Sequence, residues 1–282
     1  MVSAAPVGYH PAMLPLSVAI VCKNNESTIA RTLESVRPLA AEIVAVDSGS
    51  TDRTIEILEC FGARVIRSPW LGFVATKQKA LEACTQPWVL ALDSDESLLP
   101  ELSREVSRVL GSPNDGIDGY WMNRKVYYDD RPLNFAWQPE WRLRLVRRER
   151  AYWTGLDPHD RMELREKVGE TPGASAGGQR GRTEQLGGDM RHDSIASFAE
   201  FLAKQASHAR IMAASMKAEG RRGSVRKLVT SPIGAFLKQM VAKQSWRDGW
   251  PGVLAAASTA AGTLMKHAIL IELSRRESNA RR

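Results

Sequence analysis

The stretch that decides the fold runs from Trp88 to Glu96 and reads WVLALDSDE. Its first five residues are continuously apolar, which predicts a short strand buried on both faces of a parallel sheet. Asp93 and Asp95 follow at the carboxyl end of this strand, where open α/β sheets bind their ligands. Two ionised carboxylates at this place are costly unless a cation or hydrogen-bond donors neutralise them. Hard oxygen ligands on a short loop suit Mg²⁺ or Mn²⁺, so a metal site is the favoured interpretation. The alternative is a solvated acidic turn before a helix.

The residues before this stretch repeat a strand and helix pattern. Three apolar runs predict strands at Leu16–Cys22, Glu42–Val46 and Ala63–Arg67. Helices are predicted between them, and a third helix is predicted over Phe73–Ala83. This βαβαβαβ order is typical of a parallel sheet wrapped by helices, so the sequence predicts an α/β fold with a Rossmann-like sheet.

Polar and acidic side chains stand at the ends of the predicted strands. Besides Asp93 and Asp95 they are Asn24, Glu26, Asp47 and Asp52. Singly, Asp47 and Asp52 are typical of turns that begin helices. Together on one sheet edge, such carboxylates can accept hydrogen bonds from a base and from ribose hydroxyls, which predicts a nucleotide site. No G-x-G-x-x-G follows the first strand and no G-x-x-x-x-G-K-[ST] occurs, which argues against dinucleotide oxidoreductases and P-loop enzymes.

The second half of the chain has a different pattern. Asp118–Tyr128 is strand-like, and Trp141–Arg147 (WRLRLVR) alternates apolar residues with arginine, which predicts a half-exposed strand. Phe135, Trp137 and Trp141 are candidates for a wall that stacks on a sugar ring, and core packing explains each of them equally well. Gly169–Gly188 lacks an apolar period and is predicted to be a flexible loop.

The positive charge is concentrated at the C-terminal end. Residues 196–282 contain 15 Lys and Arg against 5 Asp and Glu, whereas residues 1–195 contain 24 against 27. Amphipathic helices are predicted here, including an uncharged segment of 15 residues, Pro251–Met265, that is shorter than the roughly 20 residues of a spanning helix. Basic amphipathic helices predict binding to an anionic membrane surface. The alternative is packing on the catalytic domain or on another subunit. Nucleic acid is not expected as a partner, since no recognised module is present.

The remaining composition fits a globular protein of 282 residues with 43% hydrophobic and 25% charged residues. Cys22, Cys60 and Cys84 have no metal-ligand spacing and are predicted to be buried, reduced thiols. Met1–Pro15 lacks a basic segment followed by a long apolar core, so no secretory signal is expected. These features predict a cytoplasmic protein.

Four segments together resemble a known family. They are AIVCKNNE (19–26), VAVDSGSTDRT (44–54), LGFVATKQKAL (71–81) and WVLALDSDESLLPEL (88–102). In this order they resemble the family two inverting glycosyltransferases of the GT-A fold, and among these the bacterial lipopolysaccharide-core β-1,4-glucosyltransferases. The segment WRDGWPGVL (246–254) is similar to a D-G-x-x-G stretch in the C-terminal helices of that family.

The resemblance implies a role for each matching residue. Asn24, Glu26, Asp47, Asp52, Lys77 and Asp93 would bind a UDP-sugar donor. Asp95, together with Asp93 and His192, would hold Mn²⁺ or Mg²⁺. Asp160, in the pair His159-Asp160, matches the acidic residue of the family's H-E pair and would be the catalytic base, with Asp157 and Glu140 as alternates. Since Asp replaces Glu at this position, the side chain is one methylene shorter.

The resemblance also implies a domain organisation and a reaction. Residues 1–15 would be a flexible arm, 16–110 the donor-binding half, 111–195 the acceptor-binding half and 196–282 a basic helical region. The enzyme would transfer a sugar, with glucose as the first expectation, from a UDP-sugar to a lipopolysaccharide-core or other lipid-linked saccharide. The reaction would take place on the cytoplasmic face of the inner membrane. Two alternatives are a phosphotransferase of the haloacid-dehalogenase type, which also carries D-x-D after a strand, and a non-catalytic membrane-docking protein.

Overall fold

The computed structural model describes residues 13–112, 116–157, 159–165, 181–195 and 197–280. Its strands are β1 (Leu14–Cys22), β2 (Ala40–Asp47), β3 (Arg64–Arg67), β4 (Trp88–Asp93), β5 (Glu96–Leu98), β6 (Gly119–Tyr128), β7 (Arg131–Pro132), β8 (Trp141–Arg147), β9 (Ala151–Leu156), β10 (His159–Leu164) and β11 (Thr183–Ile195). Its helices are α1 (Ile29–Val36), α2 (Thr54–Cys60), α3 (Phe73–Ala83), α4 (Pro100–Gly111), α5 (Phe198–Ala218), α6 (Val225–Leu237) and α7 (Trp250–Ala280).

One mixed sheet runs through both halves of the chain in the order β3-β2-β1-β4-β8-β6-β11-β5. The strands β1 to β4 are parallel to one another, and β8 is antiparallel to both β4 and β6. β9 and β10 form a separate antiparallel hairpin. The predicted α/β fold with a Rossmann-like parallel sheet is therefore confirmed, and the two predicted halves share a single sheet.

The parallel strands β1, β2 and β4 are covered on both faces, as their largely apolar sequences require. On one face, apolar side chains of α1, α2 and α4 pack on Leu16, Val18 and Ile20 of β1. On the other face, α3 and the β9–β10 hairpin pack on Ala19 and on β2 and β4. Trp88–Leu92 of β4 is buried throughout, as predicted. This rigid centre holds the loops at the carboxyl ends of β1, β2 and β4.

Three local predictions are wrong. β8 is a central strand rather than a half-exposed one, and Arg144 on it is only 4% exposed because it pairs with buried acids. The predicted loop 169–188 is strand from Thr183 onward, paired with β6, while 169–180 lies outside the described residues. Cys60 is exposed at the end of α2, whereas Cys22 and Cys84 are buried free thiols. The predicted arm 1–15 lies outside the described residues up to position 12, and β1 begins at Leu14.

The C-terminal helices are fastened to the sheet domain by the segment that resembles D-G-x-x-G. The carboxylate of Asp248 accepts hydrogen bonds from the backbone N–H groups of Asn134, Phe135 and Ala136 at 2.7 to 2.9 Å. Gly249 follows with φ +71°, a conformation that favours glycine. Asp248 and the glycine turn therefore set where α7 begins against the sheet domain.

α7 is a packed helix that also meets the length and composition of a membrane span. Within the described residues, Trp250–Arg276 is long and apolar enough to cross a membrane, and 28% of its most apolar window is buried. The uncharged segment Pro251–Met265 lies within this longer helix, which continues past Lys266 and His267. α7 packs against α5 and α6, and Thr259 accepts a hydrogen bond from the indole N–H of Trp137 at 3.0 Å. These contacts bear out the alternative of a helix packed on the catalytic domain.

Gly252 gives a test of this packing. A Cβ at this position would lie 1.7 Å from the carbonyl oxygen of Ser245, so Gly252→Ala requires the backbone to move. We expect a loss of about 1–3 kcal/mol in the free energy of unfolding, measured by urea denaturation. Gly234→Ala in α6 is the matched control, because a Cβ there meets nothing within 4 Å. The free energy of unfolding of Gly234→Ala should be the same as that of the parent or up to about 1 kcal/mol higher. If both substitutions changed it equally, the close contact between Gly252 and Ser245 would be contradicted.

Candidate active site

A cavity of about 1150 Å³ lies at the carboxyl ends of the parallel strands. This volume is slightly above the roughly 300–1000 Å³ that is typical of small-molecule sites. Both halves of the chain contribute to its wall. The charged and polar lining residues include Lys23, Asn25, Lys77, Asp93, Asp95, Arg124, Arg144, Asp160 and His192. The site residues predicted around the D-x-D segment are thus brought together in one cavity.

Lys77 joins the D-x-D segment to the predicted base. Its ammonium group lies 2.6 Å from Asp93 Oδ1 and 2.8 Å from Asp160 Oδ2. All three side chains are mostly buried, and Nζ of Lys77 also lies 4.8 Å from the centroid of the Trp153 ring. Lys77 reaches this place from α3, while Asp160 comes from β10, so the contact fixes the β9–β10 hairpin against the parallel sheet. The lysine therefore organises the cavity between its two acids.

A buried acid and two arginines, none of them predicted from the sequence as site residues, support Asp93. Glu96 is 0% exposed and accepts hydrogen bonds from the guanidinium groups of Arg124 at 3.1 Å and Arg144 at 2.7 Å. Its other oxygen accepts the backbone N–H of Asp93 at 2.9 Å. Arg144 also donates to the carboxylate of Asp93 at 3.0 Å. Burial alone would raise the pKa of Asp93, but Lys77 and Arg144 hold it well below its usual range.

Glu96→Gln is expected to destabilise the protein by about 3 kcal/mol or more, because it leaves two buried guanidinium groups without one of their anionic partners. Urea denaturation measures this loss. Glu105→Gln is the control, since Glu105 pairs with Arg108 at the surface of α4 and should leave the denaturation midpoint unchanged. A Glu96→Gln protein as stable as its parent would show that the network contributes little to folding.

β11 brings His192 beside Asp95. His192 pairs with Glu96 in the antiparallel ladder between β11 and β5, and the N–H of Asp193 donates to the carbonyl of Asp95. The Nε2 atom of His192 then lies 3.5 Å from Asp95 Oδ1. Burial would raise the pKa of Asp95, but the adjacent imidazole lowers it. The carboxylate is thus kept in the ionised form that a metal ligand needs.

The side chains of Asp95 and His192 are suited to bind a divalent cation that is also bound by a substrate. Within the described ranges, no three His, Cys, Asp or Glu side chains are grouped to hold a metal by themselves. Nδ1 of His192 is buried and, in the described part of the chain, has no hydrogen-bond partner. A carboxylate and an imidazole leave several positions open, which suits Mg²⁺ or Mn²⁺ bound partly through substrate phosphates and water. Asp93 is a less suitable ligand, since Lys77 and Arg144 occupy its oxygens.

Three of the four residues predicted at the first two strand ends join two loops to each other, and Asp47 holds the second loop in shape. Oδ1 of Asn24 accepts the N–H of Thr51, and Glu26 exchanges hydrogen bonds with the backbone and side chain of the 52–53 turn. Asp47 is buried and accepts the N–H groups of Gly49 and Ser50, while Asp52 accepts the N–H of Thr54. The cavity wall includes Lys23 and Asn25 from this region and none of these four residues.

Neither alternate base is free for proton transfer in this geometry. Asp157 accepts the N–H groups of Phe73 and Val74 at 3.1 and 3.3 Å, and so caps the beginning of α3. Glu140 is held by Arg124 and Arg142. Although burial raises the pKa of Glu140, hydrogen bonds and charge from these two arginines lower it to about 2. A carboxyl with so low a pKa is a weak base near neutral pH.

One of the three aromatic residues predicted to stack on a sugar lies in the cavity wall, beside other tryptophans. Trp70, Trp121, Trp141 and Trp153 line the cavity, so Trp141 is the one member of the predicted set that does. Trp137 instead packs on Phe201 of α5, and Phe135 lies under the guanidinium group of Arg247. Both belong to the contact between the sheet domain and the C-terminal helices.

Comparison with known proteins decides the family. The model for "Glycosyl transferase family 2" matches residues 17–171, more than half of the chain and all of the D-x-D segment. The chain belongs to glycosyl transferase family 2. The lipopolysaccharide core biosynthesis glycosyltransferase LpsC of Rhizobium meliloti is 31% identical over 275 residues, covering 91% of this chain and 94% of LpsC. A glycosyltransferase of Rickettsia prowazekii is 29% identical over 273 residues, and the alignment covers 95% of this chain and 90% of the Rickettsia protein.

Solved structures of glucosyl-3-phosphoglycerate synthase from Mycobacterium tuberculosis are also similar. One, in complex with Mg²⁺ and UDP, is 19% identical over 75% of this chain and 81% of the synthase, with a TM-score of 0.44. Another, with Mn²⁺, UDP-glucose and phosphoglyceric acid, is 27% identical over 41% of this chain and 44% of the synthase, with a TM-score of 0.33.

Membership of this family confirms the predicted glycosyltransferase of GT-A type and hence an enzyme. The haloacid-dehalogenase alternative loses its support, because its D-x-D normally follows the first strand and here the motif follows β4. The alternative of a non-catalytic docking protein is likewise disfavoured.

Proposed function

We propose that this glycosyltransferase transfers a sugar, most simply glucose, from a UDP-sugar to a lipopolysaccharide-core or other lipid-linked saccharide, with inversion at the anomeric carbon. The observation that carries the proposal is the joint placement of Asp93, Asp95, Lys77 and Asp160 around one cavity. The similarity to LpsC, whose name refers to lipopolysaccharide core biosynthesis, supports the acceptor class.

The donor is proposed to lie across the carboxyl ends of β1, β2 and β4. Asn24, Glu26, Asp47 and Asp52 would act there by holding the two loops that present Lys23 and Asn25 to the cavity. Asp93 would accept a hydrogen bond from the ribose while Arg144 and Lys77 balance its charge. The cationic groups around Asp93 also favour the negative charge of a diphosphate.

Asp95 and His192 would hold Mn²⁺ or Mg²⁺ at this edge, with Asp93 nearby. A bound divalent cation supplies Lewis-acid stabilisation of the charge on a departing diphosphate. The chain's own part is to keep the Asp95 carboxylate ionised beside His192 and to fix both through the β5–β11 pairing.

Asp160 is proposed as the base. Its carboxylate would accept the proton of the acceptor hydroxyl as that oxygen attacks the anomeric carbon, on the face opposite the departing UDP. The carbon–oxygen bond to UDP breaks as the new glycosidic bond forms, and the proton ends on Asp160. Lys77 holds the carboxylate in place through its 2.8 Å contact. The tryptophans of the cavity would stack on the sugar rings.

A panel of UDP-sugars tests the proposed function. The full-length protein is incubated with each donor and Mn²⁺, and release of UDP is measured with and without a lipid-linked saccharide acceptor. We expect one UDP-sugar to give UDP release that the acceptor stimulates and that EDTA abolishes. Release of inorganic phosphate from phosphomonoesters, with no UDP release from any donor, would contradict the proposal.

A further inference from the structure

The outer face of α6 carries a row of exposed aliphatic side chains. We call this row the α6 stripe; its members and their exposed fractions are Val225 (62%), Val229 (56%), Ile233 (56%), Leu237 (51%) and, in the turn that continues the helix, Val241 (69%). A spacing of four residues places successive members on neighbouring positions of one helix face. The opposite face, with Leu228 and Phe236 partly buried, packs against α7. Within the described part of the chain the stripe is therefore a row of neighbouring exposed apolar side chains, whereas ordinary surfaces expose such residues singly.

The segment that carries the stripe is basic. Residues 220–247 contain seven Lys and Arg and no Asp or Glu. Arg226 and Lys227 are exposed near the first turn of α6, and Lys238 is exposed just after its end. Trp246 is 58% exposed at the end of the same basic segment. A helix with exposed aliphatic residues, flanking cations and a tryptophan has the composition of one that lies in the headgroup region of a bilayer.

We propose that the α6 stripe docks this enzyme on an anionic lipid surface. The aliphatic side chains insert between the lipid headgroups, and the surrounding Lys and Arg side chains contact the lipid phosphates. The charge pattern argues against a second copy of the chain, because two such faces would bring the exposed cations Arg226, Lys227 and Lys238 of each copy together. The aliphatic members of the stripe argue against nucleic acid, because valine, isoleucine and leucine offer no ring on which bases stack.

The surface is rigidly connected to the catalytic cavity. Lys243 donates to the carbonyl of Gln138, Gln239 accepts the N–H of Trp137, and Asp248 accepts three further N–H groups of the same loop. Phe201 and Gln205 of α5, which packs against α7, line the cavity itself. Docking would thus hold the cavity in one orientation relative to the lipid surface. In this respect the inference deepens the proposed function and rests on it, since a lipid-linked acceptor is presented at that surface.

Co-sedimentation of the full-length protein with vesicles tests the docking. We expect binding to vesicles of equimolar phosphatidylcholine and phosphatidylglycerol, little binding to phosphatidylcholine alone, and weaker binding as salt rises. The double substitution Val229→Asp with Ile233→Asp should weaken binding by at least about tenfold, because two inserted aliphatic side chains are replaced by anions. Arg226→Gln with Lys227→Gln should weaken binding and reduce its dependence on salt.

Met13→Asp is the matched control, because Met13 is a 61% exposed apolar residue at the other end of the parallel sheet, and its variant should bind vesicles like the parent. Thermal unfolding and UDP release without vesicles should be unchanged in the α6 variants, which separates failed docking from failed catalysis. The proposal is overturned if the parent does not bind anionic vesicles or if the Asp variants bind them as well as the parent does. It is also overturned if light scattering shows that the parent is a dimer and that the Asp variants are monomers.

Discussion

Replacement of Asp160 by Asn is expected to lower the turnover of sugar transfer by about 10²- to 10⁴-fold while binding of the UDP-sugar persists. The amide keeps the shape of the carboxylate but cannot accept the proton of the acceptor hydroxyl, and a positioned base contributes about this factor. Lys77 retains its 2.6 Å contact with Asp93, so the donor side of the cavity should stay in place. Single-turnover transfer with saturating donor measures the first effect, and titration with UDP-sugar measures the second.

Asp157→Asn is the control for this substitution. Asp157 caps α3 through two backbone N–H groups, and an asparagine oxygen can accept such a bond. Its turnover should therefore stay within a few fold of the parent's. Near-normal turnover in the Asp160 variant, or a large loss in a well-folded Asp157 variant, would move the base elsewhere.

Asp95→Asn is expected to remove most of the Mn²⁺-dependent part of UDP binding. Loss of a charged ligand is worth about 1.5–3 kcal/mol, or roughly 10- to 100-fold in affinity. Isothermal titration with UDP, with and without Mn²⁺, separates the metal-dependent part from direct contacts of the nucleotide. His192→Ala should show the same pattern, because His192 lies 3.5 Å from Asp95 on the neighbouring strand.

Asp193→Asn provides a nearby comparison. Asp193 follows His192 on β11 but pairs with Arg31 and Arg191 instead of pointing at Asp95. UDP binding in this variant should keep its full response to Mn²⁺. Loss of that response in Asp193→Asn, together with its retention in Asp95→Asn, would place the cation on the other side of the strand.

The parts of the fold that could be predicted are those set by local sequence. The apolar run Trp88–Leu92 predicts a doubly buried strand whatever surrounds it, and the carboxylates after it must then lie at the sheet edge. The strands β1 and β2 follow from the same argument, whereas β3 is a short, partly exposed edge strand. Their common edge, and with it the place of Asp93 and Asp95, was therefore available from the sequence.

The parts that could not be predicted depend on which strands pair. The arginines of WRLRLVR look solvent-facing until β8 is placed between β4 and β6, where Arg144 meets Glu96 and Asp93. The acidic residues after β4 indicate that buried cationic side chains must lie nearby, but they do not indicate which strand supplies those side chains. Likewise, the polar stretch from Thr183 forms a strand because it pairs with β6. The residues of this stretch have no apolar alternation that would predict the pairing.

The most direct test of the account is diffraction near the manganese absorption edge from crystals soaked with MnCl₂ and UDP. We predict an anomalous peak within coordination distance of Asp95 and His192, with the diphosphate beside it in the cavity. A peak at some other place, or UDP bound away from the carboxyl edge of β4, would contradict the assignment of this site.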